Sequence, residues 1–107
     1  MSKPRFFWYG MVKDLAGRSL RGQIRNDSEI GKLINRATET AYSRTESLAD
    51  GKERIHVINA TVKSHKKSVG GVAMDCHTCE RVIVKWTSEF VYMVAAEMGI
   101  YHPPQDE

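Results

Sequence analysis

The stretch "VAMDCHTCERVIVKW", residues 72 to 86, decides how this chain is read. Cys76, His77 and Cys79 fall within four positions, so the stretch is either half of a metal clip or a turn between two helices. A structural zinc needs four nitrogen or sulfur ligands. Beyond Cys76 and Cys79 the chain offers only His56, His65, His77 and His102, and none belongs to a second His-rich or Cys-rich pair. A redox Cys-x-x-Cys would sit in a strand-to-helix setting, which the flanking pattern lacks. The expectation is a pair of free thiols, with no metal and no cofactor.

The apolar spacing supports the turn. Val72, Ala73 and Cys76 lie on one side of a short helix, and Ile83, Trp86, Phe90 and Val94 form a stripe on a longer one. The small Ala73 lets the two faces approach, and "HTC" is long enough to turn between them. Cys76 then points into the core, while Thr78 or Cys79 stands where the second helix needs its cap, Thr78 being the better capping group. This is a helix-turn-helix pattern. Two features work against its rigidity: His77 takes the turn position where glycine is most often found, and Gly70-Gly71 weakens the short helix by about 1 kcal/mol each.

Outward from this stretch the periodicity stays helical. "RFFWYGMVKDL" groups Phe6, Phe7, Trp8, Met11, Val12 and Leu15 within three turns, and the pattern predicts a break at Gly17. "NDSEIGKLINRATETAYSRT" opens with Asp27 or Ser28 as N-cap and repeats Ile30, Leu33, Ile34, Ala37 and Ala41 at spacings of three and four. "LADGKERIHVINATVKSH" restarts after Asp50-Gly51 and places Ile55, Ile58 and Val62 on one stripe. Ser68 can cap the short helix, and Gly99 stops the long one. The β-branched "RVIV" continues in phase with the longer pattern, so length argues for helix over strand. The predicted fold class is all-α, a small helical bundle with a C-terminal helix-turn-helix. One domain is expected over 1–107, with N-terminal helices in 1–50, the helix-turn-helix region in 51–101 and a tail in 102–107.

No apolar run approaches the roughly 18 residues needed to cross a bilayer, and the basic, aromatic N-terminus does not read as a signal peptide. A cytoplasmic protein with no membrane partner is expected, in a compartment that keeps both cysteines reduced. The net charge is +3, but it is segregated. Residues 1–25 carry six Lys or Arg against Asp14, and residues 52–87 carry seven against three acids; residues 26–51 hold three against five, and residues 88–107 hold four acids and no Lys or Arg. Clustered basic residues raise the local potential well beyond what the net charge implies, which suits a polyanion. The alternative is a solvated surface.

On the long helix, the face opposite Ile83 and Trp86 holds Arg81, Val84, Lys85 and Ser88 at spacings of three and four. "KSHKK" adds Lys63, Lys66 and Lys67 just ahead of the motif. Arg and Lys on a second helix can reach base edges in the major groove, while loop lysines suit phosphates. The candidate DNA-binding residues are therefore Lys63, Lys66, Lys67, Arg81, Val84, Lys85 and Ser88.

"GVAMDCHTCERVIVKWTSEFVYMVAAEMGIY", with the preceding "ERIHVINATVKSHKKSV" and the N-terminal "KPRFFWYGMVKDL", resembles small phage late transcriptional regulators of the RinA and ArpU type. The likeness is a loose pattern of apolar, Gly-Ala and Trp-x-x-x-Phe positions over most of the chain. It implies an all-α protein whose helix-turn-helix is like that of sigma-factor region 4 and acts on a phage late promoter. In that resemblance Gly71, Ala73, Met74 and His77 match the first helix and turn, and Arg81, Lys85, Trp86 and Phe90 match the second. Gly70 departs from a common acidic residue, Cys76 from a common Leu, and Cys79 from Ser or Thr.

Two function classes remain open. The first is a transcriptional regulator that binds double-stranded DNA, as a homodimer or with RNA polymerase as partner. The second is a phage-derived helical module that grips polymerase or a packaging partner, its basic face incidental. The Phe6, Phe7, Trp8 and Tyr9 cluster serves either as core or as a dimer or partner surface. Catalysis is not expected, because no Gly-rich phosphate loop, paired carboxylates or Ser, His and Asp arrangement can be assembled.

Overall fold

Helix α5, Glu80–Glu97, runs through the middle of the protein, and everything else packs around it. The computed structural model describes residues 6–64, 69–76 and 79–101, the side chains at 69, 70, 75 and 76 excepted. Helix α1 spans Tyr9–Leu20, α2 Glu29–Glu46, α3 Gly51–Ile58 and α4 Val69–Cys76; a six-residue π-helix, Asn59–Ser64, continues α3. The protein is all-α, with no strand among the described residues.

Each helix is set by the local chemistry that the spacing indicates, with corrections in α1, α2 and residues 51–64. Helix α1 does not break at Gly17 but runs on to Leu20, and the left-handed turn comes at Gly22, φ +74°. Gly17 is glycine for another reason: a Cβ there would lie 2.5 Å from the Val62 carbonyl oxygen, so the missing side chain lets the π-helix press against α1. Phe6, Phe7 and Trp8 lie ahead of this helix. In α2, Ser28 is the N-cap, its hydroxyl accepting from the Gly31 amide at 3.1 Å. Ile34, Ala37 and Ala41 are buried as expected, but Ile30, in the first turn, projects into solvent.

The last correction concerns residues 51–64. The spacing predicts a single α-helical stripe of Ile55, Ile58 and Val62; instead α3 passes into i→i+5 winding, which shifts the phase of residues 59 to 64. Ile58 and Val62 are buried as expected, Ile55 is only half-buried, and Val57 and Thr61 join them inside. The Thr61 hydroxyl donates to the Val57 carbonyl and shares a hydrogen bond with Thr87 of α5 at 3.0 Å, so its polar group is satisfied. Of the two cap candidates for α5, the structure has Cys79; its backbone is extended, and its side chain makes no capping hydrogen bond. Helix α5 ends where expected, at Gly99 with φ +80°.

Two apolar clusters hold the elements together. The larger joins Trp8, Tyr9, Val12 and Ala16 of the N-terminal segment to Ala37 and Ala41 of α2, to Ile58 and Val62, and to Phe90, Val91, Val94 and Ala95 of α5. The smaller joins Val57, Val72, Ala73 and Ile83, with Ala60 and Trp86 against it. The second fixes α4 against the start of α5, which positions the candidate site. Trp8 and Tyr9 of the aromatic cluster are core, whereas Phe7 is almost fully exposed and Phe6 stacks on Trp8 at 5.0 Å between centroids. No helix is long and apolar enough to cross a membrane.

Candidate nucleic-acid interface

The site grows from the pairing of α4 with α5. Val72 and Ala73 of α4 close on Ile83 of α5 over Val57, so α5 is seated by its inward edge and the opposite edge of its first two turns faces out. Arg81, Val84 and Lys85 all lie on that outward edge and are exposed. Their spacing of three and four brings them together on one surface, as the periodicity predicts. Neither Arg81 nor Lys85 takes part in an ion pair among the described residues.

Ser88, one turn further on, does not share that freedom. It is half-buried, and its hydroxyl hydrogen-bonds with the Tyr9 hydroxyl at 3.1 Å, tying α5 to the start of α1. The free face therefore ends at Lys85. Lys63 is exposed near the end of the π-helix, and its carbonyl accepts a hydrogen bond from the Arg21 guanidinium. Lys66 and Lys67 lie outside the described residues, as do Ser68, His65, His77, Thr78 and His102; Cys76 is described in its backbone alone. Among the described residues no group of three or more His, Cys, Asp or Glu is placed to hold a metal ion.

Sequence reasoning misses the residue that orients α5 from behind. Arg54 is largely buried, with Nε on Asp50 at 2.9 Å, Nη1 on Glu89 at 2.6 Å and its guanidinium 5.4 Å from the centroid of Trp86. Burial works against the charge of Arg54, but the hydrogen bonds to Glu89 and Asp50 outweigh it and raise its pKa above the ordinary arginine value. The Asp50–Arg54 spacing of i,i+4 is a legible hint; the Glu89 partner, 35 residues away, is not.

This arrangement polarises α5. Its first two turns present Arg81 and Lys85, while the two acids downstream are each matched by another helix, Glu89 by Arg54 and Glu97 by Arg44 at 2.9 Å. Glu80 stands in the first turn, where an acid favours the helix terminus. The exposed onset of α5 is thus cationic, and its remainder is neutralised within the bundle. No family model, curated protein or solved structure matches the chain.

Proposed function

We propose that this protein is a non-catalytic, sequence-specific DNA-binding regulator in which α4 and α5 act as a helix-turn-helix and the start of α5 enters the major groove. The observation that carries the reading is the exposed trio of Arg81, Val84 and Lys85 on a helix seated from behind by Val72, Ala73 and Arg54. Helices of this class read bases with their N-terminal residues. Arg81 supplies the planar fork that suits guanine, Val84 an apolar contact for a thymine methyl, and Lys85 a point charge for a base edge or phosphate. Lys63, with Lys66 and Lys67, meets phosphates. Activation of phage late genes, a polymerase partner and a cytoplasmic location rest on the resemblance and the composition.

The test is a binding titration on a duplex selected from a randomised pool and on its scrambled counterpart. Arg81→Ala is expected to cost about 1 to 3 kcal/mol on the selected duplex and little on the scrambled one. If the wild-type protein shows no salt-sensitive affinity for any duplex, the reading fails. A second reading, a protein-interaction module, is favoured by one observation: Phe7 and Met11 expose apolar surface at the start of α1. Full salt-independent capture of a protein partner, with no affinity for DNA, would establish it instead.

A further inference from the structure

The aromatic residues around the start of α1 and the end of α5 form a surface that carries both a projection and a recess. Phe6 stacks on Trp8 and also meets Tyr92 edge-on at 6.2 Å and Tyr101 at 5.5 Å between centroids. Phe7, the next residue, is left out of this packing at 98% exposure, and Met11, one helical turn on, is half-exposed. Tyr92 and Tyr101 in turn line a groove of about 540 Å³ between the end of α2 and the second half of α5, together with Leu48, Met93 and Ala96. Phe6 thus joins the projection to the recess.

Charge decides what kind of occupant fits. The charged residues at the groove, Arg44, Arg54 and Glu89, are already paired inside the chain, Arg44 with Glu97 at 2.9 Å and Arg54 with Glu89 at 2.6 Å. A charged partner would have to compete with those pairs, whereas an uncharged apolar one leaves them in place. The stretch from Phe6 to Val12 has that chemistry: it contains no charged residue, and Phe7 is the most exposed large apolar side chain among the described residues.

The area agrees. Phe7 exposes about 200 Å², and with about half of Phe6 and of Met11 the projection comes to about 400 Å² per copy. A wall that covers it loses about as much, so two copies that exchange projections bury about 1,600 Å² in total, the size of a standard stable interface. A surface bearing both parts is self-complementary under a two-fold axis, the symmetry of most soluble dimers. From this juxtaposition we infer that a second copy of the chain covers this face, with Phe7 of each copy seated in the groove between Leu48 and Tyr101 of the other. The inference is independent of the DNA-binding reading, and no nucleic acid enters its test.

Sedimentation velocity on the full chain, between about 1 and 100 μM, should find two chains per particle at the upper end of the range. An apolar contact further predicts a dimer dissociation constant that scarcely changes between about 50 and 500 mM salt. Phe7→Ser and Leu48→Lys, both at exposed positions, should each raise that constant by at least about 100-fold while keeping the helical circular dichroism of the wild type. An equimolar mixture of the two variants should associate at concentrations where neither does alone, because Phe7 of the Leu48→Lys chain still finds an intact groove on the Phe7→Ser chain. A wild-type protein that stays monomeric throughout, or a Phe7→Ser variant that dimerises like the wild type, overturns the inference. So does a mixture that behaves as the sum of its parts, which would give Phe7 a different seat.

Discussion

A sulfur atom occupies the N-cap of α5, where an oxygen would do more. The Cys79 backbone is already extended as a cap requires, and its side chain makes no hydrogen bond to the first turn. Cys79→Ser should therefore stabilise the protein by up to about 1 kcal/mol, read as a higher midpoint in thermal or urea unfolding; a lower midpoint would show that the thiol packs in a way a hydroxyl cannot match. Gly17 gives the opposite expectation. Alanine would gain about 1 kcal/mol in helix propensity, but its Cβ would meet the Val62 carbonyl, a backbone atom that cannot swing aside like a side chain. Overpacking of this kind costs about 1 to 3 kcal/mol, so Gly17→Ala is expected to be net destabilising. Gly10 is the control, because a methyl group added there would have nothing within 4 Å: Gly10→Ala should be neutral or stabilising in the same unfolding assay.

At the scale of elements, α5 carries the packing of both clusters, and its two large aromatics contribute unequally. Phe90 is fully buried, and Phe90→Ala is expected to cost about 3 to 5 kcal/mol, enough to unfold much of a small domain. Trp86 is only half-buried beneath Arg54, so Trp86→Ala should cost less; equal losses in chemical denaturation would place Trp86 deeper than it lies here. The α5 stripe of Ile83, Phe90 and Val94 is legible in the sequence because three- and four-residue spacing is a local signal, as is the Ser28 cap. The π-helix is not. It depends on Gly17, 45 positions before Val62, and a glycine read locally signals a break, not a close approach. The candidate site divides in the same way. Arg81, Val84 and Lys85 share a face by periodicity alone, whereas the engagement of Ser88 is decided by Tyr9, 79 positions away, and the bracing of α5 by Arg54 and Glu89.

For the whole molecule, the thiol reading of residues 76–79 and the size of the proposed DNA-binding surface lead to separate expectations. With only half a ligand set in the sequence, a chelator should leave the melting temperature unchanged, and metal analysis of the purified protein should find less than one zinc per chain. A single helix-turn-helix buries about 600 to 1,000 Å² on DNA, which ordinarily calls for a second copy on a neighbouring half-site or a polymerase partner. The exposed Phe7 and Met11 are the proposed contact between copies. Analytical ultracentrifugation should then find two chains per selected duplex, and Phe7→Ser should reduce this to one; one chain throughout leaves polymerase as the partner.

The π-helix also bears on how this chain tolerates change in its length. An i→i+5 turn holds one residue more than the α-helical turn it replaces, so Asn59–Ser64 behaves as a helix that has absorbed an insertion without breaking. Removing one residue there would let the segment rewind as α-helix and leave the flanking chain close to its present phase, because six residues wound i→i+5 turn about as far as five α-helical ones. The contacts that change are those made from within the segment, the Thr61 hydroxyl on Thr87 and the Val62 carbonyl against Gly17. Between residues 59 and 64 the chain thus tolerates the loss of one residue, and a homologue one residue shorter here would keep the direction of its last two helices while remaking the contacts of the segment itself.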